Sequence, residues 1–134
     1  MKSINGFEDL VVWQEGIKLA DAIYEITCQE SFARDRSLRD QLRRAAVSVS
    51  SNIAEGYERN ANAEFLYFLS VAKGSAGELR SLLYVARNAA YIEDAAFATL
   101  SERAALLSRR LFALMAAIKK SGWKGIRHKP AAQP

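Results

Sequence analysis

Proline is nearly absent from this 134-residue chain: Pro130 and Pro134 are the only two, so nothing before residue 130 must interrupt a helix. The single cysteine, Cys28, excludes an intrachain disulfide framework and suits a reducing cytoplasm. The single histidine, His128, leaves no Glu-x-x-His pair for a bundle metal site and puts any histidine-based triad at the far end of the chain. The longest apolar run, residues 111–118, falls well short of the ~18 residues of a membrane span and is closed by Lys119 and Lys120. The first residues also lack the charged-then-apolar layout of a secretory leader, because Glu8 and Asp9 arrive at once. Strand-like alternation is scarce. No membrane, cofactor, metal or catalytic role is expected.

What the chain does have is helix-forming sequence. Alanine occurs 23 times and half of all residues are hydrophobic. The length suits one core, and the pattern predicts an all-α domain over 1–121, an antiparallel up-down four-helix bundle. Its helices are expected at about 7–30, 37–58, 62–91 and 94–121, with a basic, mobile tail at 122–134. In the first, Leu10, Trp13, Ile17, Ala20 and Tyr24 form one apolar row and Val12, Leu19, Ile23 and Ile26 a second, with Glu8 and Asp9 in the first turn to suit the helix dipole. In the second, Leu42, Ala46, Val49 and Ile53 form the core row, with Asp35 or Ser37 as cap. Gly56 and the residues through Asn62 are expected to turn, with Asn60 or Asn62 capping the third helix. There Phe65, Leu69, Ala72, Ala76, Leu79, Leu83, Ala86 and Ala90 hold a heptad rhythm, flanked by Phe68, Val71, Ser75, Glu78, Leu82 and Val85. In the fourth, capped by Asp94, the row is Phe97, Leu100, Ala104, Leu107, Leu111, Leu114 and Ile118.

Two features exceed what one bundle needs. Opposite the core row of the second helix lies a polar row, Gln41, Arg44, Ser48, Ser51, Asn52 and Glu55, whose short side chains suit a covered surface. Gly74 and Gly77 sit mid-helix at a cost of about 1 kcal/mol each. They are expected to admit a close backbone approach, with Ser48 and Ser51 as partners. Glu55, Glu64 and Glu78 are expected to pair with Arg44 or Lys73, or to lie at a subunit contact. This surplus of adhesive surface predicts a homo-oligomer.

Charge is blocked along the chain. Residues 7–30 hold six acids against Lys18, and residues 34–44 hold Arg34, Arg36, Arg39, Arg43 and Arg44 against Asp35 and Asp40. From Lys119 to Lys129 there are five bases and no acid; without them the chain has 14 bases against 15 acids. Arg34, Arg36, Arg39, Arg43, Arg44, Arg59, Lys119, Lys120, Lys124, Arg127 and Lys129 are therefore the candidates for holding nucleic-acid phosphates, with Trp123 available to stack a base. The competing reading has the arginines paired with the acidic first helix.

Two segments carry a family resemblance. Gln41-Leu-Arg-Arg-Ala-Ala-Val-Ser48 with Ser51-Asn52-Ile53-Ala54-Glu55-Gly56 is one. Phe65-x-x-Phe68-Leu69-Ser70-x-Ala72-Lys73-Gly74-Ser75-x-x-Glu78-Leu79 is the other. With Phe7-Glu8-Asp9-Leu10-x-x-Trp13 and Tyr91-Ile92, they resemble the proteins encoded in intervening sequences of bacterial 23S rRNA genes, over roughly residues 7–121. Ala33 and Ser50 depart from it, standing where proline, or proline or alanine, is usual. The resemblance implies a four-helix bundle that assembles into a ring-like homopentamer and has no established catalysis. It also implies kinship with accessory proteins of diversity-generating retroelements, which bind nucleic acid and a reverse transcriptase. Ser48, Ser51, Asn52, Glu55, Gly56, Gly74, Ser75 and Glu78 would then hold helices or subunits together. Two functions follow as expectations: an oligomeric scaffold binding RNA, DNA or a nucleic-acid-processing protein, or a self-assembly module without nucleic-acid affinity.

Overall fold

The heptad rows become four α-helices: α1 (Val11–Thr27), α2 (Arg36–Glu58), α3 (Asn62–Asn88) and α4 (Asp94–Ser121). This computed structural model describes residues 4–121, so the expectations for residues 122–134 lie outside the described residues. Ser48 meets Ser75 and Gly56 meets Phe68, so α2 and α3 run antiparallel. Gly16 meets Ser50 and Thr27 meets Arg43, so α1 and α2 do too. The expected rows of α2, α3 and α4 are buried almost to the residue, Leu114 being half-buried and Ala90 exposed. Among the described residues there is no strand, and no helix is long and apolar enough to cross a membrane.

The helix expected over 7–30 is broken at both ends. Phe7–Asp9 form a 3₁₀ turn and Leu10 is extended, so Glu8 and Asp9 precede α1, whose own first turn has no acid. The break lets Phe7 fold back on Trp13, with ring centroids 5.2 Å apart. On a continuous helix, residues six apart would point roughly 120° away from each other. Asp9 turns to accept a bond from the Asn5 amide at 2.8 Å. At the other end Thr27 bonds back to the carbonyl of Ile23 at 2.6 Å, Gln29 is extended, and a second 3₁₀ turn, Glu30–Phe32, buries Phe32 completely. The core face of α1 is Val12, Gly16, Leu19, Ala20, Ile23 and Thr27. Trp13 and Ile17 are half-buried and Tyr24 is exposed, because the close seat of Gly16 on Ser50 turns the other row inward.

One expected cap forms, two do not, and left-handed residues reverse the chain after α2 and α3. Asp35 caps α2, its Oδ1 accepting from the Leu38 amide at 3.0 Å. Gly56, expected in a turn, lies within α2, which runs on to Glu58. The chain reverses at Asn60 (φ 59°), and Ala61, not an asparagine, precedes α3 without a side-chain cap. At the end of α3, Ala90 takes φ 64°, donates to the carbonyl of Arg87 and is followed by the Tyr91 amide donating to Ala86, both at 2.9 Å. That is a Schellman closure with alanine where glycine is usual. Asp94 is the first residue of α4 rather than the residue before it.

Candidate functional site

The polar row of α2 is half covered, by α3. Ser48 and Ser75 share a hydrogen bond of 2.8 Å between their hydroxyls, and the Asn52 amide nitrogen donates to the carbonyl and hydroxyl of Ser48 at 2.8 and 2.9 Å. This cluster ties the midpoints of α2 and α3 through hydrogen bonds between short polar side chains, which is why hydroxyls are tolerated at a helix–helix seam. Ser51, Glu55 and Arg44 remain exposed.

The glycines divide differently from the sequence expectation. A Cβ on Gly74 or on Gly77 would meet nothing within 4 Å, and both residues are exposed. No other element among the described residues approaches them, because Ser75 rather than Gly74 points at α2. The close approaches are at Gly56, where a Cβ would stand 2.6 Å from Phe68 Cβ, and at Gly16, where it would stand 3.3 Å from Ser50 Cβ. Gly16 was missed; a glycine within an apolar helical row was its signal. Around Gly74 the outer face of α3 presents Tyr67 at 62% and Val85 at 50% exposure, with Val71 and Leu82 half-buried.

The candidate bases separate into engaged and free. Arg43 closes the carboxyl end of α1: its Nε donates to Thr27 Oγ1 at 2.8 Å, Nη2 lies 3.6 Å from Cys28 Sγ, and its guanidinium sits 4.6 Å over the Tyr24 ring. Arg39 pairs with neighbouring Asp40 at 3.1 Å. Arg59 bridges Glu55 at 3.0 Å and Glu64 at 3.5 Å, 5.1 Å over Phe68; its bond to Glu55 raises its pKa further. Arg34, Arg36 and Arg44 are exposed and make no ion pair among the described residues. None of the acids of α1 pairs with the arginine block, so that competing reading fails for these three. Asp35, the acid closest to Arg34 and Arg36, is occupied by the Leu38 amide and by the Tyr91 hydroxyl at 3.0 Å. Lys119 and Lys120 are exposed in the last turn of α4; Lys124, Arg127 and Lys129 lie outside the described residues.

The expected pairing of acids with Arg44 or Lys73 does not form. Glu55 and Glu64 meet through Arg59 on the surface, since Arg59 lies one turn from each, and Glu78 is exposed without an ion pair among the described residues. No three of His, Cys, Asp and Glu among the described residues stand close enough to hold a metal ion. Cys28 is an exposed free thiol just past α1.

Comparison with known proteins agrees with this geometry. No curated protein matches the chain in sequence. A crystal structure of a protein of unknown function from the S23 ribosomal protein family, from Bacteroides thetaiotaomicron VPI-5482, is similar with a TM-score of 0.72 at 18% identity, over 78% of this chain and 98% of that one; at such identity it shows the shared fold. The family model described as 23S rRNA-intervening sequence protein matches residues 8–113, which takes in α1 to α3 and most of α4. The chain belongs to the 23S rRNA-intervening sequence protein family.

Proposed function

We propose that this protein is a non-catalytic, self-associating helical bundle that binds nucleic acid through the amino-terminal end of α2. The observation that carries the nucleic-acid reading is the charge at that end. Arg36 stands in the first turn of α2, which has no acid, and Arg34 precedes it. Bases at the positive end of a helix dipole cost about 0.3–1 kcal/mol each. Free guanidiniums held there at a loss of stability suit phosphate oxygens, with the helix end adding to the positive potential. Arg44, two turns on along the exposed side, extends the patch. Arg36→Glu is therefore expected to raise the melting temperature while weakening binding to an RNA hairpin or DNA duplex. The slope of log affinity against log salt should become shallower by about 1 for each phosphate no longer held. Binding that ignores salt, or that survives neutralising Arg34, Arg36 and Arg44 together, rejects this assignment. A chain ending at Ser121 keeps the affinity if α2 carries it.

The self-association reading rests on Gly74. An exposed mid-helix glycine beside exposed Tyr67 and Val85, with nothing within 4 Å of its Cβ position among the described residues, suits the close approach of a second copy over the outer α2–α3 face. The family resemblance favours a homopentamer. Light scattering at micromolar concentration should give five times the 14.9 kDa chain; a monomer would refute the reading. The exposed thiol of Cys28 favours the cytoplasm as its location.

A further inference from the structure

The seam between α1 and α4 stands open near the α3–α4 connection. There Ala22 and Ile26 of α1 face Ala96 and Leu100 of α4 across a groove of about 410 Å³. A second hollow shares Ile26 and Ala96 and continues it past Tyr91 to Glu93. The first hollow is mainly apolar, the second is mixed, and each has a carboxylate in its lining. Glu25 lines the first hollow and Glu93 the second; Asp21 stands one turn before Glu25, and Asp94 follows Glu93. None of these four carboxylates makes an ion pair among the described residues, and no lysine or arginine lines either hollow.

We propose that this groove docks the basic segment following α4, donated by a second copy of the chain. That segment has the complementary chemistry. Trp123 and Ile126, three residues apart, supply the apolar side chains, and Lys124, Arg127 and Lys129 supply charge, with no acid from Lys119 to Lys129. The docking is between molecules. At 1.5 Å per residue, Leu100 and Ser121 stand about 31 Å apart along α4. Two extended residues beyond Ser121 span only ~7 Å, so Trp123 cannot reach the groove of its own chain. The contact uses α1 and α4, and so stands apart from the outer α2–α3 face; its second hollow reaches Tyr91, which bonds Asp35 beside the arginine end of α2.

The test uses the full chain with p-benzoylphenylalanine in place of Trp123, mixed as ¹⁴N- and ¹⁵N-labelled copies and irradiated. Cross-linked peptides are expected to join a heavy copy to a light one and to map to residues 22–29 or 92–100. Their yield should fall by about threefold or more in a Glu25→Gln/Glu93→Gln variant, whose exposed positions leave its circular dichroism unchanged. It should fall likewise between 0.1 and 1 M salt, over which the screening length shrinks from about 10 to 3 Å. Cross-links within one chain, cross-links to α2 or α3, no cross-links, or a yield indifferent to the two glutamates would each overturn the proposal.

Discussion

At the scale of single residues, conformation and space decide more than residue type. Ala90 sits at φ 64°, where an L-residue with a Cβ is strained and glycine is not. Ala90→Gly should raise stability by about 0.5–1 kcal/mol in chemical denaturation, with the Schellman bonds intact. Two helical glycines should respond in opposite senses. Gly56→Ala forces a methyl against Phe68 and Phe65 and should cost about 1–3 kcal/mol, outweighing its better helix propensity. Gly74→Ala meets nothing among the described residues and should stabilise the separate chain by up to about 1 kcal/mol, while lowering the mass seen by light scattering if copies meet there. The sequence marks Gly74 as mid-helix and puts Gly56 in a turn, and it does not show which of the two a neighbour approaches. Which side of a helix meets a neighbour depends on a rotation of a few tens of degrees, and the heptad rows of this chain are wide enough to permit either.

At the scale of elements, the tie between the two connections at one end of the bundle matters most. Tyr91 stacks on buried Phe32 with centroids 5.2 Å apart and its hydroxyl donates to Asp35; the Ser31 hydroxyl donates to the carbonyl of Tyr91 at 2.7 Å. The bond to Asp35, with desolvation and the carboxylate's charge behind it, raises the pKa of Tyr91 above the ordinary tyrosine value of about 10. A group whose folded pKa is raised contributes stability fully below its unfolded pKa and loses it as pH climbs through the folded one. Urea midpoints should therefore hold near neutrality and decline above about pH 10, and Tyr91→Phe should flatten that decline. The helices themselves were legible because heptad rows such as Phe97 to Ile118 persist without a slip. Their ends were not. The turn after Ala90 is held by contacts between residues distant in sequence, such as Ser31 with Tyr91, which no local pattern carries, and the break at Leu10 goes with Phe7 folding back on Trp13.

For the whole molecule, the arginines show how far charge could be read. The sequence grouped Arg34, Arg36, Arg39, Arg43 and Arg44 as one block. Packing divides it, using Arg43 to close α1 and Arg39 to hold Asp40, and leaving the others outward. A block of charge is visible in sequence; its partition into structural and available groups depends on which helix end lies beside it. The four helices are also unequally joined. The α2–α3 pair is the most extensively packed, knotted by Ser48 and Ser75 at its middle and by Gly56 against Phe65 and Phe68 near its turn. The α1–α4 seam is the least. Such a bundle should come apart in order. Amide hydrogens of Ile53, Leu69 and Ala72 are expected to exchange with deuterated solvent only on global opening, while those of α1 exchange earlier through partial detachment. The hairpin of the second and third helices is thus the unit a nascent chain can set first, before the outer two have anything complete to lie upon.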